Sequence, residues 1–253
     1  MSEVPLTLTT GDGVRLRGRH LPAESDLAIV IAHGFSGSCN SPRARHIAAT
    51  LHRFGAVVAF DFRGHGNSEG VSTVGDLEVH DIEAAVAFAR SRGHSTVAVA
   101  GFSMGAAVAV RHAALFGGLT AVAAVSGPAH WYYRGTPSMR LVHRAIEGRW
   151  GRAVARWTRR TRISAVGWDP PPSPPWELVH KIAPTPLLIV HGTADRYFPL
   201  RHAHALYESA ADPRALWIEP GMGHAESSMT PALVRRLGAW LREPSVPPVS
   251  PPA

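Results

Sequence analysis

The chain alternates short, unbroken apolar runs with stretches whose apolar residues recur at helical spacing. Two opening runs, PLTLTT and VRLRGRHL, alternate apolar and polar positions on either side of the turn-forming GDG, which predicts an antiparallel hairpin. Six further runs, at 27–33, 56–62, 96–102, 119–127, 186–192 and 214–220, are continuously apolar, the pattern of strands buried on both faces. Helical spacing predicts helices over 41–54, 77–92, 104–116, 200–211 and 229–242. Such alternation predicts an α/β fold with a mostly parallel central sheet flanked by helices.

Residues 128–183 break the alternation. They hold an arginine cluster, tryptophans and the stiff DPPPSPPW run, and predict a helical cap inserted after the sixth strand. The expected division is therefore a core of 1–127 and 184–242, a cap of 128–183, and a Pro-rich tail of 243–253 too poor in apolar residues to order. Within the cap, Met139, Val142, Ile146, Trp150, Val154 and Trp157 fall on one helical stripe, with Gly148 and Gly151 offering a break into two helices. Two readings stay open. The stripe packs on the body while the arginines are solvated, or it forms a mobile lid that closes over an acyl chain.

Composition narrows the class. At 253 residues with 45% hydrophobic content the chain is long enough for one well-buried domain. The N-terminus lacks the charged start and apolar run of a signal peptide, and no apolar run reaches the ~20 residues of a membrane span, so a cytoplasmic location is expected. One cysteine, Cys39, excludes an internal disulfide framework and a cysteine-based zinc site.

The net charge of +7 invites a nucleic-acid or membrane partner, but it is not spread evenly. Nine arginines lie between Arg134 and Arg162 against Glu147 alone; outside that segment 17 basic and 18 acidic residues remain. No nucleic-acid partner is expected. The cluster leaves open a weak contact with an anionic lipid surface.

Chemistry is carried by GFSMG, which places Ser103 between Gly101 and Gly105 where a buried strand meets a helix. This is the context of a nucleophile elbow, a turn too tight for side chains at the flanking positions. A helix-capping serine is the plainer alternative. A serine nucleophile needs a base oriented by a carboxylate, and the chain supplies Asp195 beyond the run PLLIVHG and His224 in the glycine-rich PGMGH beyond the next run. The amides of Phe35, after IVIAHG, and of Met104 are placed to form an oxyanion hole. No metal-ligand spacing, dinucleotide fingerprint or P-loop occurs, so no cofactor or metal is expected.

With HGFSGS, DFRGHGNSEG, GFSMG and HGTADRYFP followed by GMGH in this order, the chain resembles the α/β-hydrolase superfamily over roughly residues 3–242. Within the superfamily it is similar to bacterial esterases, cinnamoyl-type esterases and monoacylglycerol-lipase-like or peptidase-like hydrolases. The resemblance implies a catalytic triad of Ser103, Asp195 and His224, an oxyanion hole from Phe35 and Met104, and a structural loop bearing Asp61, Arg63 and His65. Serine at the elbow excludes the branch that uses aspartate there, and no carboxylate after AVAAVSGPAH rivals Asp195.

The expected function is a serine hydrolase acting on carboxylic esters of short-to-medium acyl groups through an acyl-enzyme. Alternatives are an acyl thioesterase, a cofactor-free perhydrolase and a noncatalytic binding scaffold. His202 and His204 are expected to be structural, Glu226 solvated and Cys39 a buried thiol.

Overall fold

The computed structural model describes residues 3–245, so the predicted tail lies outside the described residues from 246 onward. Eight strands form one sheet: β1 (Val4–Thr9), β2 (Arg15–Leu21), β3 (Leu27–Ala32), β4 (Ala56–Phe60), β5 (Thr96–Phe102), β6 (Ala121–Val125), β7 (Leu187–Gly192) and β8 (Arg214–Glu219). Their spatial order is β1-β2-β4-β3-β5-β6-β7-β8. β2 runs antiparallel to both neighbours, and every other pairing is parallel. The predicted hairpin and buried runs are thus present as strands, most of them ending one or two residues short of the sequence expectation.

The continuous apolar runs are explained by the two layers they touch. On β3, Ala28, Val30 and Ala32 face a core shared with α2 (Val79–Ser91) and α3 (Met104–Phe116), while Leu27, Ile29 and Ile31 face a second core shared with α1 (Pro42–Leu51) and α8 (Pro231–Arg242). Because side chains alternate along a strand, burial on both faces requires an apolar residue at every position. Helix starts follow their capping residues: Ser41 and Thr230 each accept a hydrogen bond from the amide three residues on, with proline at the first helical position.

Between β6 and β7 the chain forms α4 (Pro137–Glu147), α5 (Arg149–Arg159) and the short α6 (Pro175–Leu178), and α7 (Arg201–Ser209) follows β7. Gly148, at φ −85° and ψ 136°, separates α4 from α5, so the predicted single stripe is divided. Its two halves have different surroundings. Met139, Val142 and Ile146 of α4 line the large cavity above the strand ends, whereas Trp150, Val154 and Trp157 of α5 are 74%, 59% and 85% exposed. A wholly inward-facing stripe is therefore not what forms.

Nor are all nine arginines solvated. Arg152 donates to the Ile146 and Glu147 carbonyls at the end of α4, and Arg162 donates to the Ser68 and Gly70 carbonyls of the core. Isolated bridges His65–Thr161 and Ser72–Ile163, with Trp168 Nε1 donating to the Thr73 carbonyl, also tie this insertion to the core. No described helix is long and apolar enough to cross a membrane.

Candidate active site

The parallel strands deliver the predicted residues to one edge of the sheet. Ser103 joins β5 to α3, Phe35 follows β3, Asp195 follows β7, and His224 follows β8. Parallel strands set all these carboxyl ends on one edge of the sheet, the edge at which open α/β sheets form their crevice.

Ser103 has φ 52° and ψ −116°, an unfavourable conformation for a residue with a side chain. The strain depends on its glycine neighbours. A Cβ on Gly105 would run into the Ala32 carbonyl, and one on Gly101 into the backbone of Gly105 and Ala106. Both glycines therefore permit β3, β5 and α3 to approach closely enough to force the turn. Ser103 makes no side-chain capping bond to α3, which removes the plainer reading of this serine.

Ser103 Oγ lies 2.8 Å from His224 Nε2, and His224 Nδ1 lies 2.8 Å from Asp195 Oδ2. The carboxylate accepts from His224 through Oδ2 and, through Oδ1, from the amides of Tyr197 (2.8 Å) and Phe198 (3.0 Å). Burial opposes ionisation of Asp195, but these hydrogen bonds outweigh it and hold the carboxyl below its ordinary range. Donation from Nδ1 to a carboxylate leaves Nε2 free to accept, the tautomer a general base requires. The rings of Tyr197 and Phe198 flank the imidazole, with centroids 4.4 and 5.7 Å away.

Neither the Phe35 nor the Met104 amide has a protein acceptor among the described residues. Both residues line the cavity with Ser103. The loop holding Phe35 is braced from below: His33 donates through Nδ1 to the Gly34 carbonyl and accepts through Nε2 from Phe62 N, and His65 Nε2 accepts from Ser36 N. Asp61 accepts from Ser38 Oγ, Cys39 N and Asn67 N, while Arg63 pairs with Asp12 and Asp81. These contacts support the loop geometrically, in keeping with the structural role expected of the DFRGHG segment.

Two contributors escape sequence reasoning. Glu226, expected to be solvated, is half-buried, and its Oε1 accepts from Gly34 N at 2.7 Å, joining the His224 loop to the loop of Phe35. Its other oxygen and Ser103 Cβ both lie within 3.5 Å of the point a Cβ on Gly34 would occupy. Buried Ser126, after β6, accepts from Ala225 N at 3.0 Å and so fixes the residue next to His224. His202 is buried with Nδ1 accepting from Ala129 N and does not line the cavity of Ser103, and Cys39 is buried in the second core. Burial pushes the Cys39 thiol up, which disfavours a reactive thiolate.

A model described as "Alpha/beta hydrolase family" matches residues 29–236. The chain belongs to that family. Among curated relatives, this hydrolase is 27% identical over 239 residues to the uncharacterized protein Rv2307c of Mycobacterium tuberculosis, covering 88% of this chain and 73% of the relative. It is also 27% identical over 232 residues to a monoacylglycerol lipase of Mycolicibacterium smegmatis, covering 78% and 80% of the two chains. Its fold is similar to that of the Pyrococcus furiosus esterase Pf2001, with a TM-score of 0.76, 25% identity, and 95% and 90% of the two chains covered.

The hydrolase has above Ser103 a cavity of about 500 Å³, a size typical of small-molecule sites. Its base is Ser103 and His224, its roof is α4, and aromatic walls come from Trp131, Tyr133 and Trp168. Glu147 and Glu226 are its carboxylates, and Arg152 is its one arginine.

Proposed function

We propose that the hydrolase cleaves carboxylic esters through an acyl-enzyme on Ser103. The observation that carries this reading is the Ser103–His224–Asp195 relay, opening into a cavity beside two amides without protein acceptors. Ser103 Oγ attacks the ester carbonyl carbon as His224 Nε2 takes its proton. The tetrahedral oxyanion accepts from the Phe35 and Met104 amides, and Asp195 stabilises the imidazolium. Collapse breaks the bond to the alcohol oxygen, which leaves with the proton from His224. Water, deprotonated by the same imidazole, then attacks the acyl carbon, and the carboxylic acid departs as Ser103 regains its proton.

A cavity roofed by α4, in place of an open lipid-binding surface, supports short-to-medium acyl groups. An ester with an uncharged alcohol suits its walls better than a thioester on a polyanionic carrier. Arg152, its one arginine, has its guanidinium tied to α4 carbonyls, Glu147 is already paired with Arg134 and His143, and the carboxylate of Glu226 next to the Ser103 loop disfavours an anion there. A binding scaffold would have no use for the strain at Ser103. Esterase activity named for similar proteins agrees with this reading.

The test pairs a fluorophosphonate probe with p-nitrophenyl esters from acetyl to palmitoyl and with acyl-CoA thioesters. Wild-type protein should be labelled at Ser103 and hydrolyse butyrate or hexanoate esters fastest, and Ser103→Ala should abolish labelling and turnover. Labelling at another serine, or preference for acyl-CoA, would reject the assignment.

A further inference from the structure

The half of the cap stripe that leaves the cavity is exposed among the described residues. Along α5, Trp150, Val154 and Trp157 recur at spacings that place them within one narrow arc, and all three are exposed. Ala155 is the helix's buried residue, and Gly151 on the same side permits close approach to Ala145 of α4. The tryptophan arc thus lies to one side of the packed edge. Arg149 and Arg156, both exposed, border it on the side away from that edge, and Arg149 stacks over Trp150 at 5.2 Å. Soluble protein surfaces rarely expose two neighbouring tryptophans without a use for them.

We propose that α5 docks the protein onto an anionic lipid bilayer, with Trp150, Val154 and Trp157 entering the interfacial layer and Arg149 and Arg156 meeting lipid phosphates. The match is one of charge and amphipathicity. From Arg134 to Arg162 seven arginines are exposed, and six of them have no carboxylate partner among the described residues. Interfacial helices combine an aromatic and aliphatic face with flanking arginines, because the rings sit at headgroup depth while guanidinium groups bind phosphate.

A second copy of this chain fits less well. A twofold interface would set the same arginine-bordered helix against itself, placing like charges together. Single-stranded nucleic acid would use the rings but leave Val154, which has no π-face to stack, without a role. α4, against which α5 packs, roofs the cavity over Ser103, so a bilayer seated on α5 lies beside the site. The proposal goes beyond ester hydrolysis and does not depend on it.

The test is co-sedimentation of the full chain with vesicles of mixed phosphatidylcholine and phosphatidylglycerol, against phosphatidylcholine alone. Wild-type protein should bind the anionic vesicles, and less so as salt rises. R149Q/R156Q should lower that binding roughly 25-fold, since each arginine near the surface contributes roughly fivefold. W150A/W157A, which keeps the charge, should lower it on the order of tenfold or more. Thermal melting should be unchanged in both variants, because all four side chains are exposed.

Wild-type protein that stays in the supernatant would overturn the proposal, as would binding unchanged in either double variant. A dimer or an oligonucleotide complex abolished by W150A/W157A, without vesicle binding, would assign the face to that partner instead. Vesicle binding is read without turnover, so an inactive esterase leaves the test intact.

Discussion

Replacing Asp195 by asparagine is a sharp probe of the relay, because the surrounding hydrogen bonds dictate how the new side chain must sit. Oδ1 accepts from the Tyr197 and Phe198 amides, and Oδ2 faces His224 Nδ1. Asparagine keeps both amides paired only by placing its carbonyl oxygen at the Oδ1 position. Its NH₂ then donates to His224 Nδ1, and the imidazole proton is driven to Nε2, facing Ser103. A protonated Nε2 cannot accept the serine proton. Turning the amide over restores the useful tautomer but sets its NH₂ against two backbone donors, leaving each unpaired at about 1–3 kcal/mol. The midpoint for two such donors, about 4 kcal/mol, corresponds to a ~10³-fold loss of rate. Asp195→Asn should therefore lower kcat/KM for p-nitrophenyl butyrate by ~10³-fold while melting close to wild type. Asp195→Ala, which uncaps both amides, should be the less stable of the two. If Asp195→Asn kept activity within tenfold of wild type, the assignment of Asp195 as the orienting carboxylate would be wrong.

Glu226→Ala should cost about 1–3 kcal/mol of stability in urea unfolding and lower kcat, because it orphans Gly34 N beside the oxyanion loop. Glu226→Gln retains an acceptor and should restore most of both; equal damage from the two variants would refute the hydrogen-bond account. Two buried histidines should lower stability as pH falls through the mildly acid range, against an opposing contribution from Asp81, whose carboxyl is pushed up to about 7 by burial. Burial and neighbouring His33 lower His65 to about 3, and burial with His130 and Arg201 lowers His202 to about 4. Above pH 6.5 both are neutral whether folded or not, and their contribution to stability is fully present. Below it the unfolded chain takes up protons that the native state refuses, so these two groups should remove about 2 kcal/mol between pH 6 and pH 5. The fall should be shallower in His202→Gln, and a variant whose stability changes with pH as wild type does from pH 7 to pH 5 would contradict this.

How far the sequence could be read depended on whether a feature is local or distant. The strands were legible because burial on both faces forces an unbroken apolar run, but their ends depend on tertiary contacts. The apolar pattern runs over 119–127, yet the strand ends at Val125, and Ser126, at φ 52°, accepts the Ala225 amide. The helix expected from 77 begins at Val79, and the Glu78 side chain just before it is buried, accepting from Ser72 Oγ and the amides of Thr73, Val74 and Gly75, contacts that nothing in the local pattern announces. The elbow around Ser103 was legible because its strain and its glycines lie within five residues. Glu226 was not, because its partner Gly34 is 192 residues away, and nothing in HAESS distinguishes a clamped carboxylate from a solvated one.

The arginine cluster shows the same limit for charge. Nine arginines within one stretch of sequence suggest a single basic face, but the fold assigns them to different tasks. Arg162 ties the insertion to the core, Arg152 closes the end of α4, and Arg134 pairs with Glu147. What reaches the cavity is the Arg152 guanidinium, held by carbonyls, beside Glu226 and a Glu147 already paired with Arg134 and His143. What reaches solvent includes Arg149 and Arg156 flanking two tryptophans. The excess positive charge therefore acts outward, on whatever surface meets α5, and contributes little to the choice of ester below. The break at Gly148 makes this separation possible, because it lets one half of a continuous apolar pattern roof the cavity while the other half, with its arginines, turns to solvent.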